Sequence, residues 1–439
     1  MVLFLTMARI IPFPALRYDP ARVRLADVVT QPYDKITAEM QERYYSASPY
    51  NLVRIILGKR EPGDNGQNVY TRAADAFSQW RKDGVFLQDQ NPLLYAYAQE
   101  FAVPGSPEKR LERLGFVALG QLEPYDAGVV FRHEQTHSGP KTDRLNLLRA
   151  TRAHFGQIFM LYNDPAGEID SALAKVARYA AGFEVRDEYE VRHRLWPIPG
   201  LVEYIRRRME STKLIIADGH HRYETALSYQ RERREQDPAA PPAGEAAYDR
   251  VMMTFINMYA EGLVILPTHR VIAGLESFSD EQFLESARVF FDVEPVPVSD
   301  AAQATAVLRS AGNQGTALLA VTQGGSFLLR ARPAEIERTL AHISPQQRGL
   351  DVVVLHKLGL ELVLGISEEA ILEQRYISYL RDAGEAMARV RSGANIAFLM
   401  NPVRIEQVRD TAFTGEVLPQ KSTDFYPKLL SGLTIYALE

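Results

Sequence analysis

"KLIIADGHHRYETAL", residues 213–227, joins an apolar run of strand character to a stretch of helical pattern, with Asp218, Gly219, His220, His221 and Arg222 at the seam. A strand, a tight turn and a helix start make an anion site. The first amides of a helix lack partners within it, and the helix dipole adds positive charge there. Gly219 lets the backbone turn sharply. Arg222 can grip a phosphate or carboxylate through two parallel hydrogen bonds. His220 and His221 point in different directions, because neighbours on a helix do not share a face. Asp218, at the end of a buried strand, can hold Mg²⁺ or accept a substrate proton. The plainer alternative is that Asp218 caps the helix and His221 packs in the core. Four polar groups crowded at one buried seam favour the phosphate site.

The bulk composition sets limits. A chain of 439 residues has the length of two or three domains, and 46% apolar with 24% charged residues is an ordinary globular balance. The formal net charge is −5, and basic residues cluster only in short pieces such as Arg206-Arg207-Arg208, so no nucleic-acid footprint is expected. With no cysteine, the chain has no disulfide, thiolate metal site or cysteine nucleophile, which suits a reducing cytoplasm. The start "MVLFLTMARIIPFP" lacks a basic n-region and a small-residue cleavage site, and Arg9 and Pro12 interrupt it. No apolar run reaches the roughly 18 residues of a spanning helix. A soluble cytoplasmic protein without membrane partners is expected.

Along the chain, "LLYAYAQEFAV" and "EKRLERLGFVALGQL" flank the turn "PGSP" (104–107) and predict a hairpin. "NVYTRAADAFSQWRKDG" (68–84) predicts a helix with Ala73, Phe77 and Trp80 on one face, stopped by Gly84. "RERREQDPAAPPAGEAA" (231–247) runs from a charged helix end into a Pro/Ala stretch and is the clearest breakpoint. It divides the chain into a region 1–235 and a second region 248–439, in which helices and strands alternate. The fold class is mixed α/β (α+β) rather than a doubly wound sheet.

Other polar stretches carry candidate chemistry. "FRHEQTHSGP" contains a literal H-E-x-x-H, His133 to His137. That pattern binds zinc only when both histidines share one face of a helix. Here strand-like "GVVF" precedes it and Gly139-Pro140 follows, so no zinc site is expected. Instead Glu134, Lys141, Asp143 and Arg144 are expected to face the same cleft as the DGHHR segment. "LPTHRVI" puts His269 and Arg270 in a strand-like run, as a paired buried polar cluster. "TQPYDKIT" places Tyr33 and Asp34 in a turn, and "PQKSTDFYPKLLSGL" (419–433) carries Lys421, Ser422, Thr423 and Lys428 in a Pro-punctuated loop.

Taken together, "TQPYDKI", "SPYNLVRIILG", "HEQT…KTDRLNLLRATRAHFGQIFMLY", "IADGHHRYETAL", "LPTHRVI" and "LPQKSTDFYPKLLSGL" resemble the domain of unknown function 1015 family, in order and over nearly the whole chain. The DGHHR segment is similar to the Asp-Gly-His-x-Arg motif of ParB-like free serine kinases, and more distantly to the Gly-Cys-His-Arg loop of sulfiredoxin. The resemblance implies a ParB/sulfiredoxin-like nucleotide-binding core elaborated with a second mixed α/β region. It also implies a site for the phosphates of ATP or ADP with Mg²⁺ at Asp218, Gly219, His220, His221 and Arg222, onto which Lys141, Arg144 and the tail residues Lys421, Ser422, Thr423 and Lys428 fold. Those kinases are much shorter, and their catalytic glutamate has no aligned position here; Asp34, Glu134 and Asp218 are the candidates. The expected activity is small-molecule phosphotransfer, with free serine the first acceptor to try. A phosphate-ester or nucleotide hydrolase and a non-catalytic nucleotide-binding regulator stay open, as does the oligomeric state.

Overall fold

The computed structural model describes residues 8–64, 67–134, 138–237 and 239–438. The chain divides into two compact units. Met1–Arg132, Thr136–Val264 and Pro427–Glu439 form the first, and His133–Gln135 and Ile265–Tyr426 form the second.

Among the described residues the first unit carries a mixed sheet of nine strands. They are β1 (Ile10–Ile11), β2 (Tyr95–Val103), β3 (Ser106–Gln121), β4 (Val130–Arg132), β5 (Ile158–Tyr162), β6 (Phe183–Arg186), β7 (Arg192–Pro197), β8 (Leu214–Asp218) and β9 (Arg250–Asn257). Their spatial order is β4-β8-β5-β9-β3-β2-β7-β6, with β1 beside β3. The β4–β8 and β5–β9 pairs are parallel, and the remaining pairs are antiparallel. The hairpin expected around "PGSP" is β2–β3, whose long register runs from Tyr95↔Val117 to Ala102↔Arg110.

The helices of this unit that bear on the site are α1 (Val69–Lys82), α2 (Ser138–Thr151) and α3 (His220–Gln236). Helix α1 starts at a reciprocal cap. The Asn68 side chain accepts from the Thr71 amide, and the Thr71 hydroxyl accepts from the Asn68 amide. Its buried face is Ala73, Phe77 and Trp80, at the spacing of one helical stripe.

The sequence breakpoint at 236–247 does not separate the units. The wholly buried Asp249 carboxylate accepts from Arg234 and Gln230 on α3 and from the amides of Gly244 and Ala246. The segment after α3 is thereby fastened to it, and β9 beyond pairs with both β3 and β5. Beyond this stretch the first unit continues to Val264, and the main span of the second unit begins at Ile265. The chain end returns to the first unit: Ser431 bridges Thr30, Ile435 bridges Leu16, and Tyr436 pairs with His154.

The second unit contains a six-stranded sheet of β10 (His269–Ile272), β11 (Phe291–Pro295), β12 (Ala317–Thr322), β13 (Gly325–Ala331), β14 (Ile377–Leu380) and β15 (Ile396–Met400), in the order β11-β13-β12-β15-β10-β14. Helices α4 (Ala301–Gly312) and α5 (Ala383–Arg391) supply Ala304, Leu308, Ala386 and Val390 to its core. No helix among the described residues is long and apolar enough to cross a membrane.

Candidate functional site

Strand β8 is buried along Leu214–Ala217, and its register against β5 shifts between Ile216 and Asp218, where Asp218 faces Phe159. This irregularity re-aims the last side chain of the strand. Gly219 follows at φ +94° and occupies the N-cap of α3, with no side chain capping the helix. A Cβ at Gly219 would also lie 2.9 Å from the Arg222 guanidinium, so the position needs glycine for both its conformation and the close approach.

Asp218 is therefore no helix cap. One carboxylate oxygen accepts from Arg222 Nη2 at 2.8 Å, and the other accepts from Lys428 Nζ at 3.0 Å. The three side chains are 20%, 16% and 10% exposed, in the order Asp218, Arg222, Lys428. Burial alone would push the Asp218 carboxyl up. The Lys428 ammonium and Arg222 guanidinium outweigh it, with a contribution from Lys35, and hold the group well below the usual carboxylate range. Asp218 stays ionised and is a poor proton acceptor.

The two cations are held from behind. Arg222 Nη1 donates to the Gln157 carbonyl. The Gln157 side chain is buried and bonded to the hydroxyls of Thr254 and Thr434. Gly156, next to it, lies so close that a Cβ would stand 3.1 Å from Arg222 and 3.2 Å from the Ser431 hydroxyl. Lys428 is fixed through its own backbone. Its carbonyl accepts from Gln99 Nε2 at 2.8 Å, and the carbonyl of Pro427 accepts from Arg113. Arg113 is fully buried, donates to Gln99 Oε1, and lies 4.6 Å over the Phe159 ring. Burial depresses its guanidinium to about 10, against the opposing pull of Tyr97 and Asp218.

Arg144, on α2, lines the same pocket as Arg222. It donates to the Ile56 carbonyl at 2.6 Å, pairs with Asp143, and stacks over Tyr33 at 4.1 Å. Burial pushes the Asp143 carboxyl up, but Arg144 and the Tyr70 hydroxyl outweigh it and leave the group lowered. Lys141 is committed to an ion pair with Glu224 of α3. His220 is buried in the first turn of α3, and His221 is half-buried. Asp34 is exposed in the short turn Tyr33–Lys35, and its carboxylate makes no hydrogen bond or ion pair among the described residues.

The other candidates gather in the second unit. Glu134 accepts from the Lys421 amide, and His133 bonds to the Thr423 hydroxyl at 2.7 Å. The Ser422 hydroxyl donates to the Pro419 carbonyl. His133 and Glu134 occupy extended chain before α2 rather than a helix, while His137 lies outside the described residues. Within the same unit Arg270 is buried and donates to the carbonyls of Thr268 and Lys421. Of the four tail residues named from the sequence, Lys428 is the one bonded to Asp218.

A divalent cation at Asp218 does not fit these residues. The carboxylate already lies between two cations that together outweigh its charge, and Mg²⁺ needs oxygen ligands carrying net negative charge. The expectation of Asp218 as metal ligand and base gives way to Asp218 as the anchor that spaces Arg222 and Lys428. The sequence reading missed Arg113, Gln99 and Gln157.

The family model described as "Protein of unknown function (DUF1015)" matches residues 10–353. No curated protein matches the chain. Similar solved structures include a conserved hypothetical protein from Pyrococcus furiosus, at 14% identity and TM-score 0.34 over 70% of this chain and 90% of that one. A free serine kinase mutant in complex with ADP is similar at 13% identity and TM-score 0.37, over 71% and 88% of the two chains. SbnI with a C-terminal truncation, from Staphylococcus aureus, is similar at 11% identity and TM-score 0.36, over 73% and 87%.

Proposed function

We propose that this chain, which belongs to the DUF1015 family of proteins of unknown function, binds the phosphates of ATP or ADP where β8 meets α3 and transfers a phosphoryl group to a small hydroxylated acceptor. One observation carries the reading: Arg222 and Lys428 are both pinned to Asp218 beside the uncapped start of a 17-residue helix. Two fixed cations and a helix N-terminus offer positive charge and N–H donors without reorganisation, which is what a transferring phosphoryl group needs. Asp218 keeps the cations aimed. The carboxylate given the task of orienting the acceptor hydroxyl is Asp34, exposed next to Tyr33, which lines the same pocket as Arg222. Free serine is the first acceptor to try.

A second reading, nucleotide binding without turnover, is favoured by the commitment of Asp218 to two cations, which keeps its carboxylate from acting as the base. The experiment is incubation of the protein with ATP or ADP and a mixture of hydroxylated metabolites, followed by mass analysis. A nucleotide-dependent phosphoester supports transfer. Free phosphate alone identifies a hydrolase, and bound, unchanged nucleotide identifies the non-catalytic protein. Because the cations are built in, nucleotide affinity should fall less than about tenfold when Mg²⁺ is removed with a chelator.

A further inference from the structure

Beside Arg222 a pocket opens within the first unit, and its wall on α3 is Thr225. Arg222 and Thr225 are three residues apart, so they share a face of the helix. Thr225 is 4% exposed, and its hydroxyl has no hydrogen-bond partner among the described residues. A buried hydroxyl left without a partner carries a desolvation penalty that a hydrogen-bonding ligand atom would relieve. Ile56, Leu147, Phe155 and Val251 give the wall its apolar part, His154 and Ser431 add polar groups, and Tyr33 with Arg144 stacked on it also lines the pocket.

We infer that this pocket receives the heteroaromatic ring of the ligand whose phosphates meet Arg222, with the Thr225 hydroxyl as the ring's hydrogen-bond partner. The inference rests on the phosphate reading above and adds to it the base-holding half of the site. A flat, largely apolar ring with polar edge atoms matches apolar wall residues interrupted by a few polar groups, of which the buried Thr225 hydroxyl is left without a partner among the described residues. A small zwitterionic acceptor does not match: its ammonium would lose hydration against leucine, isoleucine and phenylalanine, beside Arg144 and Arg222 and with no carboxylate among the described lining residues.

The test is calorimetric titration of the full chain with ADP and with pyrophosphate, which shares the phosphates but has no ring. It is run on the wild type and on Thr225→Val, which keeps the shape and removes the hydroxyl. The expected result is ADP binding at least about tenfold tighter than pyrophosphate, with Thr225→Val costing ADP about tenfold and leaving pyrophosphate unchanged. Equal affinity of the wild type for the two ligands would overturn the ring pocket and leave the phosphate site standing. An ADP preference untouched by Thr225→Val would also overturn it, by seating the ring elsewhere. If neither ligand binds, the phosphate site fails and the pocket assignment fails with it.

Discussion

Lys428 and Asp218, 210 residues apart in the chain, form an ion pair of 3.0 Å that ties the returning tail to the strand–helix seam. The pair is only 10% and 20% exposed, so it belongs with ion pairs whose breaking is costly rather than with screened surface contacts. Its consequences are open to measurement.

Asp218→Asn leaves Arg222 and Lys428 facing each other without their shared anion. It should lower unfolding free energy by about 2–4 kcal/mol, and Lys428→Met by a smaller amount. In a double-mutant cycle read by urea denaturation, the coupling should exceed about 1 kcal/mol. A coupling near zero would mean that the two side chains are adjacent without being energetically linked.

Arg113 acts on the site through Lys428, by holding the Pro427 carbonyl and orienting Gln99. Arg113→Met should weaken ADP binding about tenfold in addition to lowering stability. Arg113→Lys should not restore it, because one ammonium cannot reproduce the guanidinium fork. A variant that is less stable yet keeps full ADP affinity would reduce Arg113 to a structural role.

Much of this arrangement was legible in the sequence for identifiable reasons. The β2–β3 hairpin and α1 announce themselves through strand-like runs around the PGSP turn, and through Ala73, Phe77 and Trp80 on one helical face before the stop at Gly84. The seam was visible because strand, glycine and helix-start signals occur within five residues. The contact of Asp218 with Lys428 was not legible because the two lie far apart along the chain, and spacing gives no sign of it. Gln99 and Arg113 had a usable signal. They are register partners at inward positions of β2 and β3, where alternation calls for apolar residues, so two polar residues facing inward mark a buried network. The Pro/Ala stretch misled as a boundary because Asp249 binds it to α3 through bonds that composition does not reveal.

Stability of the second unit should respond to pH through Asp351. Burial pushes this carboxyl up to about 7, against the opposing effects of Asn401 and Arg404. An acid whose folded value is raised keeps its proton in the folded chain while the unfolded chain ionises. Stability is therefore lost as pH rises from about 4 through 7 and is flat above. Asp351→Asn cannot ionise and escapes that loss. Its melting temperature relative to wild type should rise by about 3 °C or more between pH 4.5 and pH 8. An identical difference at both pH values would show that Asp351 is ionised throughout.

The central claim is that the Asp218–Arg222–Lys428 seam is a nucleotide phosphate site. The most direct measurement is the affinity of ADP for wild type, Arg222→Lys and Arg222→Ala at physiological salt. Wild type should bind at micromolar to millimolar ADP. Arg222→Ala should lose about ten- to a hundredfold, and Arg222→Lys should recover only part of it, since it keeps the charge without the fork between Asp218 and the Gln157 carbonyl. Wild-type protein that gives no binding heat and no thermal stabilisation at millimolar ADP, or an Arg222→Ala variant that binds as tightly as wild type, would contradict it.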